Sequence, residues 1–191
     1  SFQFVVNDFG IERELIDKFL SSMEMDLRKA EYTQEKYEEY ILGSAEVVGL
    51  MCLKVFTEGN SEMYENLKAP AMKLGSAFQK INFLRDLKDD YSELGRSYFP
   101  GIDVSKLDDK TKKAIEADIQ ADFDAGYQGI VGLPKKARFG VYLAYIYYTA
   151  LFKKIASIPS ARILEERVSI SKPQKASLLF GSYVRHSFNL I

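Results

Sequence analysis

An all-α fold is what this sequence predicts, and three observations carry it. Apolar residues recur at three- and four-residue steps through nearly every segment. Capping residues, glycine and proline fall between those segments and mark helix starts and stops. Alternating apolar and polar runs, the sign of a strand, are almost missing. Only RVSIS, residues 167–171, qualifies, and it is short.

Near the start of the chain, Ile11, Leu15, Ile16, Phe19, Leu20 and Met23 share one helical face, which predicts a helix over residues 11–29. Thr33 offers an N-cap hydroxyl for a second helix over 34–56. Glu58-Gly59 closes that helix and Asn60-Ser61 starts the next. The third meets Pro70, resumes, and runs to 94, where Gly95 is a C-terminal stop. Tyr98-Phe99-Pro100-Gly101 makes a turn. A helix over 109–127 is punctuated by Gly129 and Gly132-Leu133-Pro134. Residues 135–157, with the uncharged run FGVYLAYIYYTALF at 139–152, predict a deeply buried helix, and 173–188 the last one. The sum is a single all-α domain over residues 1–191, with about six or seven helices packed helix on helix.

Composition excludes several classes. At 47% hydrophobic residues the chain is not disordered. Lys and Arg number 26 against 27 acids, a net charge of −1 without a basic stripe, which argues against nucleic acid as a partner. One cysteine, Cys52, and one histidine, His186, exclude an intramolecular disulfide and argue against a Cys/His zinc site. No stretch reaches the roughly 18 apolar residues of a membrane span. A cytoplasmic protein is expected, with room for peripheral contact with a membrane surface. The opening Ser-Phe-Gln-Phe suggests a piece of something longer.

Chemistry concentrates in FQKINFLRDLKDDYSELGRSYFP, residues 78–100. Asn82, Asp86 and Asp90 are four apart, so each step drifts only about 40° around a helix and all three share a face with Gln79. Oxygen ligands on one ridge suit a hard cation such as Mg²⁺, which takes one or two carboxylates and fills its shell with water and phosphate oxygens. Arg85 and Arg96 could supply forked donors to the same phosphates. The plain alternative is a wet face, with Asp86, Asp89, Asp90 and Glu93 paired to Lys80 and Lys88. Asp118 and Asp122 repeat the DxxxD spacing without the neighbouring Asn, Arg and G-R-x-Y, and are expected to be solvated.

A second stretch, YILGSAEVVGLMCL at 40–53, sets Gly43, Ser44, Ala45 and Gly49 inside a helix. Glycine there costs about 1 kcal/mol relative to alanine. The small residues therefore serve close helix packing, a groove for a long apolar ligand, or both.

Together these stretches resemble the phytoene synthase and squalene synthase family of head-to-head prenyl synthases. Tyr40, Ala45, Val48 and Gly49 match its Y-x-x-x-V-A-G-x-V-G segment, with Ser44 and Glu46 replacing the usual Val and Gly. Gln79, Asn82, Arg85, Asp86, Asp89, Asp90, Gly95, Arg96, Tyr98 and Pro100 match its Q-x-x-N-I-L-R-D-x-x-E-D…G-R-x-Y-L-P signature, in a form most like bacterial phytoene synthases. Fainter agreement continues around Tyr148 and at Glu166 to Val168.

The resemblance implies a helical bundle of the isoprenoid (terpenoid) synthase type. It implies Asn82, Asp86 and Asp90 as ligands of Mg²⁺, with Mn²⁺ as a substitute, and Arg85, Arg96 and Tyr98 beside the diphosphates. It further implies that Tyr40, Ala45, Val48, Gly49, Phe78 and Gln79 line an isoprenoid channel, with Tyr148 on a facing helix and Arg167 near the mouth. Aromatic rings there would face a developing allylic cation, although a ring within IYY is as well placed to be core. The implied substrates are prenyl diphosphates. Two geranylgeranyl diphosphates would condense through a cyclopropyl diphosphate to phytoene, for carotenoid biosynthesis. In the squalene or dehydrosqualene branch the substrate is farnesyl diphosphate, and squalene formation adds reduction by NADPH. A non-catalytic relative acting as an assembly factor is the third possibility.

Two departures stand out. No DxxxD precedes Tyr40, and the scattered Asp8, Asp17 and Asp26 do not fill that role. The chain is therefore expected to be incomplete at its N-terminus, inactive alone, and prone to self-association through uncovered apolar surface. In addition, Tyr98 stands eight residues after Asp90, where the family usually has seven, and the extra residue re-aims Arg96 and Tyr98.

Overall fold

The computed structural model describes residues 1–27, 32–95 and 97–191. Two short N-terminal helices, α1 (Phe2–Asp8) and α2 (Arg13–Met25), lead into α3 (Gln34–Ile41). A π-helical turn, Leu42–Glu46, continues α3 without a break into α4 (Val47–Phe56). The long α5 (Ser61–Leu94) comes next, then a 3₁₀ turn at Val104–Lys106 and α6 (Asp109–Gly132). The chain ends with α7 (Lys135–Ala156), the single turn α8 (Ser160–Ile163) and α9 (Lys172–Ser187). Among the described residues there is no strand, and no helix is long and apolar enough to cross a membrane.

The helix ends obey their local chemistry. The Thr33 hydroxyl accepts from the Lys36 amide at 3.4 Å, and the Asn60 side chain from the Met63 amide at 2.9 Å. Gly95 ends α5 in the left-handed conformation, φ 61°, which glycine adopts without steric cost.

Several expectations need correction. The N-terminal residues 2–8 form a helix with no buried residue, so they carry no amphipathic signal to read. Pro70 does not interrupt α5. Its ring packs on α6 at Gly129, where an added Cβ would stand 2.8 Å from the Pro70 Cβ. Helix α6 correspondingly runs past Gly129 to Gly132. Its glycines serve close approach to α5, with a Cβ at Gly126 meeting the Leu74 backbone at 3.0 Å. Helix α7 is one-sided and not deeply buried, since only Tyr142, Leu151, Phe152 and Ile155 are fully enclosed. RVSIS does alternate, with Val168 and Ile170 buried, but it packs as an extended strap without a partner strand, its Ser169 carbonyl accepting from Lys154 Nζ at 2.8 Å.

The largest correction concerns Asp118 and Asp122. Asp122 is not solvated but 3% exposed, and accepts from Lys80 Nζ at 2.7 Å, Ser76 Oγ at 2.7 Å and Lys73 Nζ at 2.9 Å. Asp118, more open, shares the Lys80 ammonium. Lys80 thus faces α6 and does not pair with the acids of its own helix.

Helices α5 and α6 form the most extensive pair, and the main core gathers on them around Ile81, Leu84, Ile119, Phe123, Leu151 and Ile155. A second, smaller cluster of Leu53, Tyr64, Leu67 and Leu133 lies where α4, α5 and the α6–α7 junction meet. Burying each such leucine contributes about 1.5–3 kcal/mol.

Candidate functional site

A cavity of about 630 Å³ opens among α4, α5, α6 and α7. Small residues create it. Ala45 and Gly49 line it from the π turn and α4, Ala71 and Gly75 from α5, and Ala137, Gly140 and Ala144 from α7. A Cβ at Gly140 would meet nothing within 4 Å, so its missing side chain leaves space. Gly49 and Gly75 instead bring backbones together, since a Cβ on either would stand 2.9 Å from the Ala71 carbonyl or 2.6 Å from the Ala45 carbonyl. The small residues of 43–49 therefore do both jobs, packing and lining.

Of the residues singled out in the sequence, Ala45, Val48, Gly49, Phe78 and Gln79 line this cavity. One turn along α5 from Phe78 and Gln79 stands Asn82, whose side-chain oxygen accepts from the Tyr148 hydroxyl at 3.3 Å. The Tyr148 ring stacks on Phe78 with centroids 4.2 Å apart. Tyr148 thus joins the apolar cavity to the polar ridge.

Asp86 is the next residue on that ridge. Its carboxylate accepts from Arg85 Nε at 3.0 Å and from Arg167 Nε at 2.6 Å, the latter reaching in from the strap after α8. Burial works to raise the Asp86 carboxyl, but hydrogen bonds from Arg85 and Arg167 outweigh it and hold it below its ordinary value. The same bond to Asp86 pushes the Arg85 guanidinium up. Asp90 lies one turn further, half-buried. Arg96 lies outside the described residues.

Tyr40 and Tyr98 do not line the cavity. They stand in an aromatic cluster with Tyr32 and Phe83, in which Phe83 and Tyr98 stack at 4.2 Å and Tyr32 meets Tyr40 edge-on at 5.7 Å. Both hydroxyls converge on Asp26, Tyr40 donating to Oδ2 at 2.9 Å and Tyr98 to Oδ1 at 3.4 Å. Burial, then the nearby Tyr98 and Asp26, push the Tyr40 hydroxyl far above its ordinary range, so it stays protonated and donates. Asp26, set aside on sequence as scattered, is the functional candidate that reading missed. It sits in no local motif, and only the fold brings it to both tyrosines.

Do these residues fit a divalent cation? Among the described residues, no three His, Cys, Asp or Glu side chains gather into an all-protein metal cage. One amide and two carboxylates on a single ridge instead match a cation that completes its shell with substrate phosphate and water. Asn82, Asp86 and Asp90 fit that second kind of site, with arginine forks already beside them.

Comparison with known proteins gives a consistent picture. Residues 1–174 match the profile of the squalene/phytoene synthase family. No curated protein matches the sequence. Among solved structures, a dehydrosqualene synthase crystallised with a ligand superposes with a TM-score of 0.77 at 20% identity, over 97% of this chain and 69% of that one. YisP from Bacillus subtilis subsp. subtilis strain 168 gives 0.73 at 19% identity, over 94% and 75%. Squalene synthase HpnC from Alicyclobacillus acidocaldarius gives 0.68 at 22% identity, over 81% of this chain and 63% of that one, less than two thirds of its length. At these identities the superpositions establish a shared isoprenoid synthase-type fold. The family match, over most of the sequence, establishes more: the chain belongs to the squalene/phytoene synthase family.

Proposed function

We propose that this chain carries the diphosphate-binding ridge and the tail cavity of a phytoene synthase, which joins two geranylgeranyl diphosphates head to head. One observation carries the reading: an apolar cavity runs directly off the ridge that holds Asn82, Asp86 and Asp90. The diphosphate would sit on the ridge and the prenyl tail would enter between Phe78 and Ala45.

Length favours a C20 tail. From Gln79 to Leu67, α5 rises roughly 18 Å at 1.5 Å per residue. Backbone geometry allows about 1.2 Å per bond in an extended chain, so four isoprene units of four bonds each span about 18–19 Å and three units about 14 Å. A C20 tail would fill the run, and a C15 tail would stop about one isoprene short of its end.

The chain's own residues then have distinct tasks. Arg85 and Arg167 are paired to Asp86 and are placed to turn their forks onto diphosphate oxygens, where they stabilise the charge of the leaving group. Asn82, Asp86 and Asp90 would hold a divalent cation, which supplies further charge neutralisation to the departing diphosphate. Phe78, which lines the cavity and is backed by the stacked Tyr148 ring, would present its outer face beside the carbon that loses the diphosphate, favouring positive charge there. Tyr40 and Tyr98, both donating to Asp26, fix a protonated hydroxyl pair at the side of the ridge. Apolar walls keep water from the cation and leave the double bond of the second prenyl diphosphate as the available nucleophile.

A dehydrosqualene or squalene synthase using farnesyl diphosphate is the second reading, and the names of two of the superposed structures favour it. A product assay separates them. The natural full-length protein is given geranylgeranyl or farnesyl diphosphate with Mg²⁺, with and without NADPH, and the lipid extract is analysed. A C40 hydrocarbon, lost in Asp86→Ala, is the expected result. A C30 product instead moves the protein to the second reading, and consumption of neither substrate removes both.

A further inference from the structure

Three elements approach the cavity with the same order of side-chain sizes. The π turn and α4 carry Ala45, Gly49 and Leu53; α5, taken in the opposite direction, carries Gly75, Ala71 and Leu67; α7 and the α6–α7 junction, also reversed, carry Ala144, Gly140, Ala137 and Leu133. On each, small residues stand nearer the ridge than the leucine, with Leu74 between Gly75 and Ala71 on α5 and Phe56 one turn beyond Leu53 on α4. The three leucines lie together in the second core cluster, where Leu53 is 2%, Leu133 6% and Leu67 9% exposed, and each also lines the cavity. Leu67 is held from behind, because a Cβ on Gly132 would stand 2.7 Å from its Cδ2.

We propose that Leu53, Leu67 and Leu133 form a stop that sets the longest prenyl tail this cavity accepts, with Leu67 as the residue the tail end meets. The stop rests on the prenyl diphosphate reading of the site. It explains why this corner has a core of its own, separate from the main one. Packed leucines against Gly132 make a wall that does not yield, as a close-packed interior resists added volume. A fifth isoprene has no room, whereas a third-isoprene tail leaves the end of the cavity unfilled.

The wall also predicts how length preference moves. Ala71 lies one turn nearer the ridge than Leu67, roughly 6 Å at 1.5 Å per residue, slightly more than one isoprene. Ala71 packs against the leucine cluster, so Ala71→Leu moves the stop inward with all three leucines kept, and Leu67→Ala moves it outward.

Binding tests this directly and needs no turnover. Non-reacting thiolodiphosphates with C10, C15, C20 and C25 tails, and inorganic diphosphate, are titrated calorimetrically into the protein with Mg²⁺. Affinity is expected to rise at least about tenfold from C15 to C20, as another isoprene is buried, and to fall back at C25. Ala71→Leu is expected to weaken C20 about tenfold, to weaken C15 less and to leave C10 unchanged, while Leu67→Ala raises C25 to the C20 level. Thermal melts of both variants identify any that fail to fold, and Ala71→Leu keeps the test decisive if Leu67→Ala does not. C25 binding as tightly as C20, with Ala71→Leu shifting nothing, overturns the stop while leaving the prenyl reading in place. Tails that add nothing over inorganic diphosphate overturn both.

Discussion

Asp86 and Asp122 each belong to a D-x-x-x-D pair on a long helix, and their fates differ completely. Asp122 is sealed between α5 and α6, where two lysines and a serine satisfy its oxygens and almost no solvent reaches it. Asp86 stands at the rim, with its side chain 24% exposed and two arginines against it. The spacing is identical, so spacing cannot be what separates an architectural aspartate from one available to a ligand. The partners decide. Lysines from a packed neighbouring helix lock a carboxylate in place, whereas arginines on a rim present forks that a phosphate can claim.

The sharpest way to break this comparison is Asp122→Ala. Removing one partner from a buried set leaves the buried Lys80 ammonium with the more open Asp118 where it had two carboxylates, so a loss of about 3–5 kcal/mol is expected in urea unfolding. A loss under about 1 kcal/mol would mean the α5–α6 network is not what joins those helices. Acid gives the next largest effect. Burial opposes ionisation of Asp122, but hydrogen bonds from Lys80, Lys73 and Ser76 prevail and hold its carboxyl below the ordinary 3.8. A carboxyl depressed in the folded state contributes stability that is complete above its unfolded value and is lost as pH falls through the folded one. Stability should therefore be flat from neutral pH to about pH 5 and decline below about pH 4, and that decline should be smaller in Asp122→Asn.

Smaller still is the expected stability effect of Asp86→Ala, within about 1 kcal/mol, because the group lies at the rim and Arg167, 55% exposed, is free to turn to water. Its effect should appear in calorimetric binding of diphosphate with Mg²⁺ present, with a fall of at least about tenfold, the worth of one charge-assisted contact between carboxylate and cation. Asp118→Ala closes the series. Its side chain is 61% exposed, and a change of at most about 0.5–1 kcal/mol is expected in the same urea measurement.

Much of the helical layout is legible in the sequence because it is local. The 78–95 segment announces itself through four-residue steps and a terminal glycine, and Thr33 and Asn60 cap helices as their types require. Pro70 is harder, since whether a proline interrupts a helix depends on what packs against its ring, and Gly129 is far along the chain. Asp122 is illegible for a related reason: the lysines that bury it belong to another helix. Asp26 shows the same limit at the candidate site. The tyrosines that meet its carboxylate lie 14 and 72 residues further on, and no short window along the chain contains all three. Patterning along the chain reveals which residues share a helical face, and tertiary contacts decide which of those faces becomes a site.

The π turn at Leu42–Glu46 changes the direction in which the rod faces. Closing a ring one residue longer than an α-helix does, it rotates the downstream helix by about 100° relative to an uninterrupted one. Before the turn, Tyr40 points to Asp26 and the aromatic cluster; Ala45 within it and Val48 and Gly49 after it face the cavity. The extra residue acts as a change of phase within one rod, letting a single length of chain serve two neighbours that a regular helix could not address together. Deleting one residue there would restore a regular helix and force a choice between them.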